Sequence, residues 1–439
     1  MIYKKLIFSF LFLVCAQLSY SQYFDDLKRY VDENYSGSAR YNSMGGAFGS
    51  LGGEFSSISD NPASGAVFNY TQIGFSLKLN DEKNSVLYNN RNTSKESSDF
   101  DFNQFGIVFV LNNDSSSWSK LNFSFNYQLQ NIYNNKFSVI GSSNTGIDNY
   151  FLNYAQGVDL SNLKLNDNET ISGLYQFLGS SPNLGFGAQQ AFLGYQGYIV
   201  NPFSNTNDNN NYFTNAKYSN NLNQELYLNS SGDNKKSSFN VSGFYKNNLY
   251  VGLNINSYEI NYSETRDFYE DNYDFESNLR SLQFRNNLKT FGKGTSIQIG
   301  IIALLKNNFR LGISYHSPIW YKFFEESSQY LITSHKIDEI FYEDTVDPNT
   351  INVYPEYKLK IPSKLSGSIS YVFNKKGIIS FEFTTQNISS ANFSNNINNS
   401  FTDLNNEVNS SSKTKTTIKT GLEYRLYDSV SLRGGFLNQ

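Results

Sequence analysis

The sequence predicts an all-β protein, a transmembrane antiparallel β-barrel, on three observations. First, 16% of the 439 residues are aromatic, 37 Phe and 33 Tyr, yet the mean hydropathy is negative. A soluble protein seldom carries so many rings among so many Asn and Ser. A membrane barrel does, because lipid-facing apolar residues alternate with lumen-facing polar ones and aromatic girdles mark both interfaces. Second, the alternation is visible: in KLNFSFNYQL, Leu121, Phe123, Phe125, Tyr127 and Leu129 interleave with Asn122, Ser124, Asn126 and Gln128. Third, short and long connections alternate along the chain, as periplasmic turns and external loops do in outer-membrane barrels.

The N-terminus reads as a cleaved secretory signal over residues 1–21: Lys4 and Lys5, an apolar run over 6–16, then Ser19-Tyr20-Ser21 before Gln22. The run is too short for a membrane helix. Cys15 lies inside it, behind a Val14 larger than the residue expected before a lipidated cysteine. The mature chain is therefore expected to carry no lipid and no cysteine, which excludes disulfides and thiolate metal sites. A formal net charge of -4 over this length argues against a nucleic-acid partner.

Residues 44–68, MGGAFGSLGGEFSSISDNPASGAVF, concentrate glycines before the first strand. A phosphate loop is excluded, because no Gly-Lys-Ser/Thr follows and no apolar strand precedes. The remaining reading is a compact plug bending tightly in a confined space.

Period-two strands follow at 73–79, 105–111, 121–129, 239–245, 249–255, 297–305, 309–315, 365–373, 379–383, 418–426 and 430–436. Most approach the roughly 9 to 11 residues that a tilted strand needs to cross a bilayer. Short polar turns fall at Lys246-Asn247-Asn248, Lys306-Asn307-Asn308, Asn374-Lys375-Lys376-Gly377 and Tyr427-Asp428. Two insertions are long. The first, about 140–225, places Leu174, Phe177 and Leu178 on one helical face, to be buried against a neighbouring loop or a ligand. The second, about 318–355, is acidic and aromatic and reads as a loop without a specific signal.

Several motifs carry no chemistry. His316 and His335 are the only histidines, too few for a multi-histidine metal site. His316 and Ser317 in YHSP point to opposite faces of a strand and cannot form a nucleophile-base pair, so a solvated lumen histidine is expected. GKGTS at 292–296 lacks the upstream glycine of a phosphate loop.

The stretch YSGSARYNSMGGAFGSLGGEFSSISDNPASGAVF, residues 35–68, resembles the N-terminal hatch of the FadL/TodX family of outer-membrane transporters for hydrophobic compounds. The likeness rests on an exported N-terminus, a helix-like FDDLKRYV, Ser-Ala-Arg before Met-Gly-Gly-Ala, a second Gly-Gly with an acidic residue, and Asn61-Pro62-Ala63 before the first strand. Later segments, among them YKLKIPSKLSGSISYVF and KKGIISFEF, look like strands of the same family.

The resemblance implies a monomeric 14-stranded barrel over 69–439, plugged by a hatch over 22–68, in the outer membrane of a Gram-negative bacterium. Its substrates would be long-chain fatty acids or aromatic hydrocarbons, moving passively among outer-membrane lipids, with no cofactor and no enzymatic step. Gly45, Gly46, Gly52, Gly53, Asn61, Pro62 and Ala63 match the hatch. Arg310, Lys419 and Arg425 lie on the polar phase, as candidates for a substrate head group or as lumen salt bridges to Glu382 and Glu423. The chain departs from the family by stopping at Leu437-Asn438-Gln439, mid-strand and after about a dozen strands, so the expectation is that C-terminal strands are missing, the alternative being a smaller barrel. A rival class is a protein-binding barrel of a secretion system; a more distant one is a barrel enzyme acting on lipids.

Overall fold

The structure, a computed structural model, describes residues 24–32, 36–89, 91–113, 115–181, 183–373, 376–395 and 401–439. The signal-peptide expectation lies outside the described residues. Among these residues eighteen strands run in order: β1 (Gln72–Tyr88), β2 (Arg91–Asn112), β3 (Trp118–Ile132), β4 (Asn135–Ser143), β5 (Val200–Pro202), β6 (Tyr212–Thr214), β7 (Leu222–Tyr245), β8 (Leu249–Asp271) and β9 (Leu279–Leu304). They continue with β10 (Phe309–His316), β11 (Ile319–Ile337), β12 (Ile340–Val346), β13 (Asn352–Ile361), β14 (Lys364–Phe373), β15 (Gly377–Asn387), β16 (Asn392–Ser394), β17 (Thr414–Tyr427) and β18 (Val430–Asn438).

The wall is an antiparallel ladder in the order β1-β2-β3-β7-β8-β9-β10-β14-β15-β17-β18, and β1 and β18 are not paired with each other among the described residues. Strands break in mid-course. The upper half of β9 pairs with β11 and its lower half with β10, either side of Ser317-Pro318. Likewise β13 and β14 are halves of one course interrupted at Pro362, where proline cannot donate to the ladder.

Every period-two segment read from the sequence is a strand, but β7, β8 and β9 run to 24, 23 and 26 residues. The cause is visible on β8. Leu253 and Ile255 face outward, and the next outward positions are Ser257, Glu259 and Asn261. The outward apolar belt on this strand ends there. Beyond it the strand continues with a polar exterior, so the hydrophobic alternation changes while the backbone does not. The insertion at 318–355, read as a loop, is instead β11, β12 and the start of β13.

Among the described residues six helices accompany the wall: α1 (Phe24–Val31), α2 (Ala39–Ser43), α3 (Asp148–Ala155), α4 (Ile171–Ser180), α5 (Gly185–Gln196) and α6 (Thr402–Ser411). No described helix is long and apolar enough to cross a membrane, which says nothing of crossing by strands. The three helices of the first loop share a core, with Phe151, Tyr175, Leu178 and Phe192 fully buried, and this core rests on Leu282, Phe284 and Leu331 of the wall.

Candidate functional site

Residues 36–68 fill the lower lumen. Gly45, Gly46, Gly52 and Gly53 all adopt left-handed backbone, φ between +59° and +71°, which a residue with a Cβ adopts only under strain. Pro62 opens a short 3-10 helix over Pro62–Val67, and Asn61 before it is extended, as a residue preceding proline must be. The Asn61 side chain accepts from the Ala63 N–H at 3.0 Å and donates to the Gly49 carbonyl at 2.7 Å.

The wall is cut to fit this segment. A Cβ on Gly300 would overlap the Asn61 carboxamide, and one on Gly252 would overlap the Pro62 carbonyl. Lumen side chains supply the partners that an irregular buried backbone requires. Asn122 donates to the Gly65 carbonyl at 2.7 Å, Asn240 to Pro62 at 2.9 Å, Asn254 to Ile58 at 2.8 Å, Gln298 to Asp60 at 2.8 Å and Arg310 to Leu51 at 2.9 Å. The polar phase of the strands is therefore largely a cradle for hatch carbonyls.

Charges lock the same contact. Lys419 Nζ lies 2.9 Å from Glu382 and 3.5 Å from Asp60 of the hatch, while Glu382 also accepts the Gly49 N–H at 2.8 Å. Arg40 of α2 and Arg433 of β18 both bind Glu423, at 2.8 and 2.6 Å. A cavity of only about 70 Å³ remains among Tyr41, Asp60, His316, Glu382 and Lys419.

Above the hatch the lumen changes character. Tyr258, Ile260, Tyr262, Ile319, Tyr321, Phe323, Tyr357 and Phe393 form an aromatic chamber. Phe323 stacks on Tyr321 at 5.4 Å and on Tyr357 at 5.2 Å. Helix α1 occupies it. Leu27, Tyr30 and Val31, spaced i, i+3, i+4, bury one face there, and Tyr30 stacks on Phe323 at 4.5 Å. Carboxylates are buried beside the rings: Glu325 accepts from Tyr357 at 2.8 Å and Thr290 at 3.1 Å, Glu264 accepts from Tyr262 at 2.6 Å, and Asp26 is buried on α1.

The chamber meets an interruption in the wall. The β2–β3 ladder ends at Gln104 and Gln128, while β3 and β4 continue along β7 across a break at Tyr133-Asn134. A cleft of about 430 Å³ opens beside this break. Its lining runs from Lys78 and Asn80 of β1 past Tyr133 to Arg29 of α1 and Tyr262 of the chamber. Arg29 sits over the Tyr262 ring at 3.9 Å and pairs with Asp26 at 2.6 Å.

The structure distributes the sequence-derived candidates over three places. Arg310 and Lys419 hold the hatch, below the chamber, because the lumen at their height is filled by residues 36–68. Arg425 is exposed near the lower end of β17 and joins neither group. Leu174 and Leu178 lie inside the loop core, and Phe177 alone on that helix face is exposed. His316, expected to be solvated, is 6% exposed and bonds through Nε2 to Tyr258 at 2.9 Å and Ser296 at 3.1 Å. Ser317 turns away and donates to the Pro318 carbonyl. The chamber itself has a sequence signal. On β8 the apolar phase switches from Leu253 and Ile255 to Tyr258, Ile260 and Tyr262, so the apolar face moves from outside to inside within one strand.

No family model and no curated protein matches the chain. Among solved structures it is similar to the toluene transporter TbuX of Ralstonia pickettii, with 12% identity, 92% of this chain and 87% of that one covered, and a TM-score of 0.42. It is also similar to the toluene transporter TodX of Pseudomonas putida, with 10% identity, coverage of 92% and 84%, and a TM-score of 0.42. A FadL homologue of Pseudomonas aeruginosa matches with 10% identity, coverage of 92% and 80%, and a TM-score of 0.45.

Proposed function

We propose that the chain moves hydrophobic molecules, such as long-chain fatty acids or aromatic hydrocarbons, across a bacterial outer membrane by gated passive diffusion. The observation that carries this reading is the aromatic chamber inside an otherwise polar lumen, closed below by the hatch and filled by α1. A water-filled pore needs no such chamber, because bulky buried rings narrow the passage and repel hydrated solutes.

In this reading a ligand enters from the loop side, displaces the apolar face of α1, and leaves sideways through the cleft between β1 and the β3–β4 break. Two residues set its polarity. The buried Glu325 disfavours a second carboxylate nearby, since like charges in a desolvated site repel strongly. Arg29, at the cleft, becomes available to an acid only when it leaves Asp26.

The test is uptake of labelled palmitate and labelled toluene by cells that lack their own transporter, with the wild-type chain and with Pro62→Ser/Gly52→Ser. Uptake of either solute that depends on the wild-type hatch supports the reading. Background uptake of both, with the folded wall present in the membrane, overturns it.

A further inference from the structure

One feature of the exterior is not used by transport. Toward the loop side of the apolar belt, between the outward Trp320 and the outward Phe291–Phe324 pair, Lys322 stands directly opposite two further lysines on the outward face. Lys322 of β11 is the cross-strand partner of Lys293 on β9 and of Lys358 on β13. All three are exposed. Like charges at directly opposed positions are destabilising, and neighbouring strands are only about 4.8 Å apart. Lys360, one alternation below Lys358, adds a fourth cation on the same face.

Local acids offset this row only in part. Glu259 is opposite Lys293, and Glu356 reaches Lys322 at 3.6 Å between two well-exposed side chains. Among the described residues Lys293, Lys358 and Lys360 form no ion pair. The height of the row is marked by Trp320, 49% exposed, opposite Thr295 and Lys360 and two positions before Lys322. Outward Trp collects at the boundary between hydrocarbon and head groups. Below it the outward residues are Tyr315, Ile313 and Leu311. The lysines therefore stand at head-group level, with stems long enough to lie along the belt while the ammonium stays at the interface.

We propose that Lys293, Lys322 and Lys358 bind the phosphate groups of a phosphorylated lipid in the leaflet that faces the long loops. The inference rests on the outer-membrane reading. Charge complementarity selects this occupant: a row of cations spanning about 10 Å across three strands fits a head group with more than one phosphate, and each lysine at such a surface contributes roughly a fivefold gain in affinity. Bound phosphate also removes the repulsion within the row.

The probe is labelled lipid A, whose disaccharide head group carries two phosphates, titrated into the purified full chain in neutral detergent. Wild type and Lys293→Arg/Lys322→Arg/Lys358→Arg are expected to bind alike, and Lys293→Gln/Lys322→Gln/Lys358→Gln to bind on the order of a hundredfold more weakly. The single change Lys358→Gln, which removes one exposed charge and leaves packing intact, is expected to weaken binding about fivefold and decides the matter if the triple variant does not fold. Equal binding by the Gln variants overturns the proposal. Displacement of the lipid by a matching concentration of inorganic phosphate also overturns it, since the site would then be one for free anion. Uptake of hydrophobic solute is measured in the same variants and is expected to be unchanged, so loss of lipid binding and loss of transport are read separately.

Discussion

Lys419 and Glu382 face each other across β17 and β15, 2.9 Å apart and each 2% exposed, and the same lysine reaches Asp60 of the hatch at 3.5 Å. One buried cation thus serves two carboxylates, one in the wall and one in the plug. Removing one member of a buried pair leaves an uncompensated charge and destabilises by about 3–5 kcal/mol. The wall is held by its ladder, so the hatch should yield first. Lys419→Met is expected to raise ion conductance in planar bilayers, and Lys419→Met/Glu382→Leu to bring it part of the way back. Wild-type conductance in the single variant would show that this group does not hold the plug.

A steric lock acts beside the electrostatic one. Gly300 and Gly252 leave room for Asn61 and Pro62, so Gly300→Val must push the hatch inward or bend β9. Asn61→Ala is milder: it deletes the bonds to Gly49 and Ala63, worth roughly 1 kcal/mol each. Protease cleavage within residues 36–68 of the folded chain should rise for both variants, more for Gly300→Val. Unchanged cleavage in Gly300→Val would mean that the wall, not the plug, absorbs the clash.

Much of this arrangement was legible in the sequence, for a physical reason. Within the apolar belt, lipid on one side and polar lumen on the other force strict alternation, as in Leu121 to Leu129. The glycines and Asn61-Pro62 announced tight turns. Legibility failed where the exterior turned from lipid to water. There the outward face can be Lys322 and the inward face Phe323, so 318–355 lost its barrel signature although it is β structure. The roles of Arg310 and Lys419 were hidden for another reason: a polar lumen residue looks the same whether it faces a ligand or a hatch carbonyl.

The loop domain should respond to pH. Its anchor is Glu270, at the outer end of β8 beyond the apolar belt, which accepts from the Ile147 N–H at 3.1 Å and from Gln224 at 2.6 Å. Burial pushes Glu270 up to about 7, and burial also raises the neighbouring Asp148. A carboxyl whose folded value is raised binds more protons folded than unfolded, so stability falls as pH rises from the ordinary carboxylate range through about 7. Amides of residues 148–196 should therefore exchange more slowly near pH 5 than near pH 8, after correction for intrinsic rates. Glu270→Gln should flatten that dependence. An opposite slope in the wild type would contradict the anchor.

On the proposed path, helix α1 and a transported molecule compete for one space. Tyr30 and Leu27 place their side chains among Phe323, Tyr321 and Tyr357, with 2% and 1% exposure, so the chamber is occupied whenever α1 is seated. An apolar ligand then binds with its intrinsic affinity reduced by the fraction of chains in which the helix has left. Leu27→Ala/Tyr30→Ala removes the competing groups and leaves the rings, creating an apolar cavity of the kind that stays dry and accepts small hydrophobic molecules. Titration with a fluorescent naphthylamine should show tighter binding by roughly tenfold or more, if the closed state dominates the wild type by that ratio. Glu325 adds a second readout. A neutral long-chain alcohol should compete with the probe better than the acid of equal length at neutral pH, and Glu325→Gln should narrow the difference. If the double alanine variant is folded and binds the probe no better than wild type, the chamber is structural packing and the ligand path lies elsewhere.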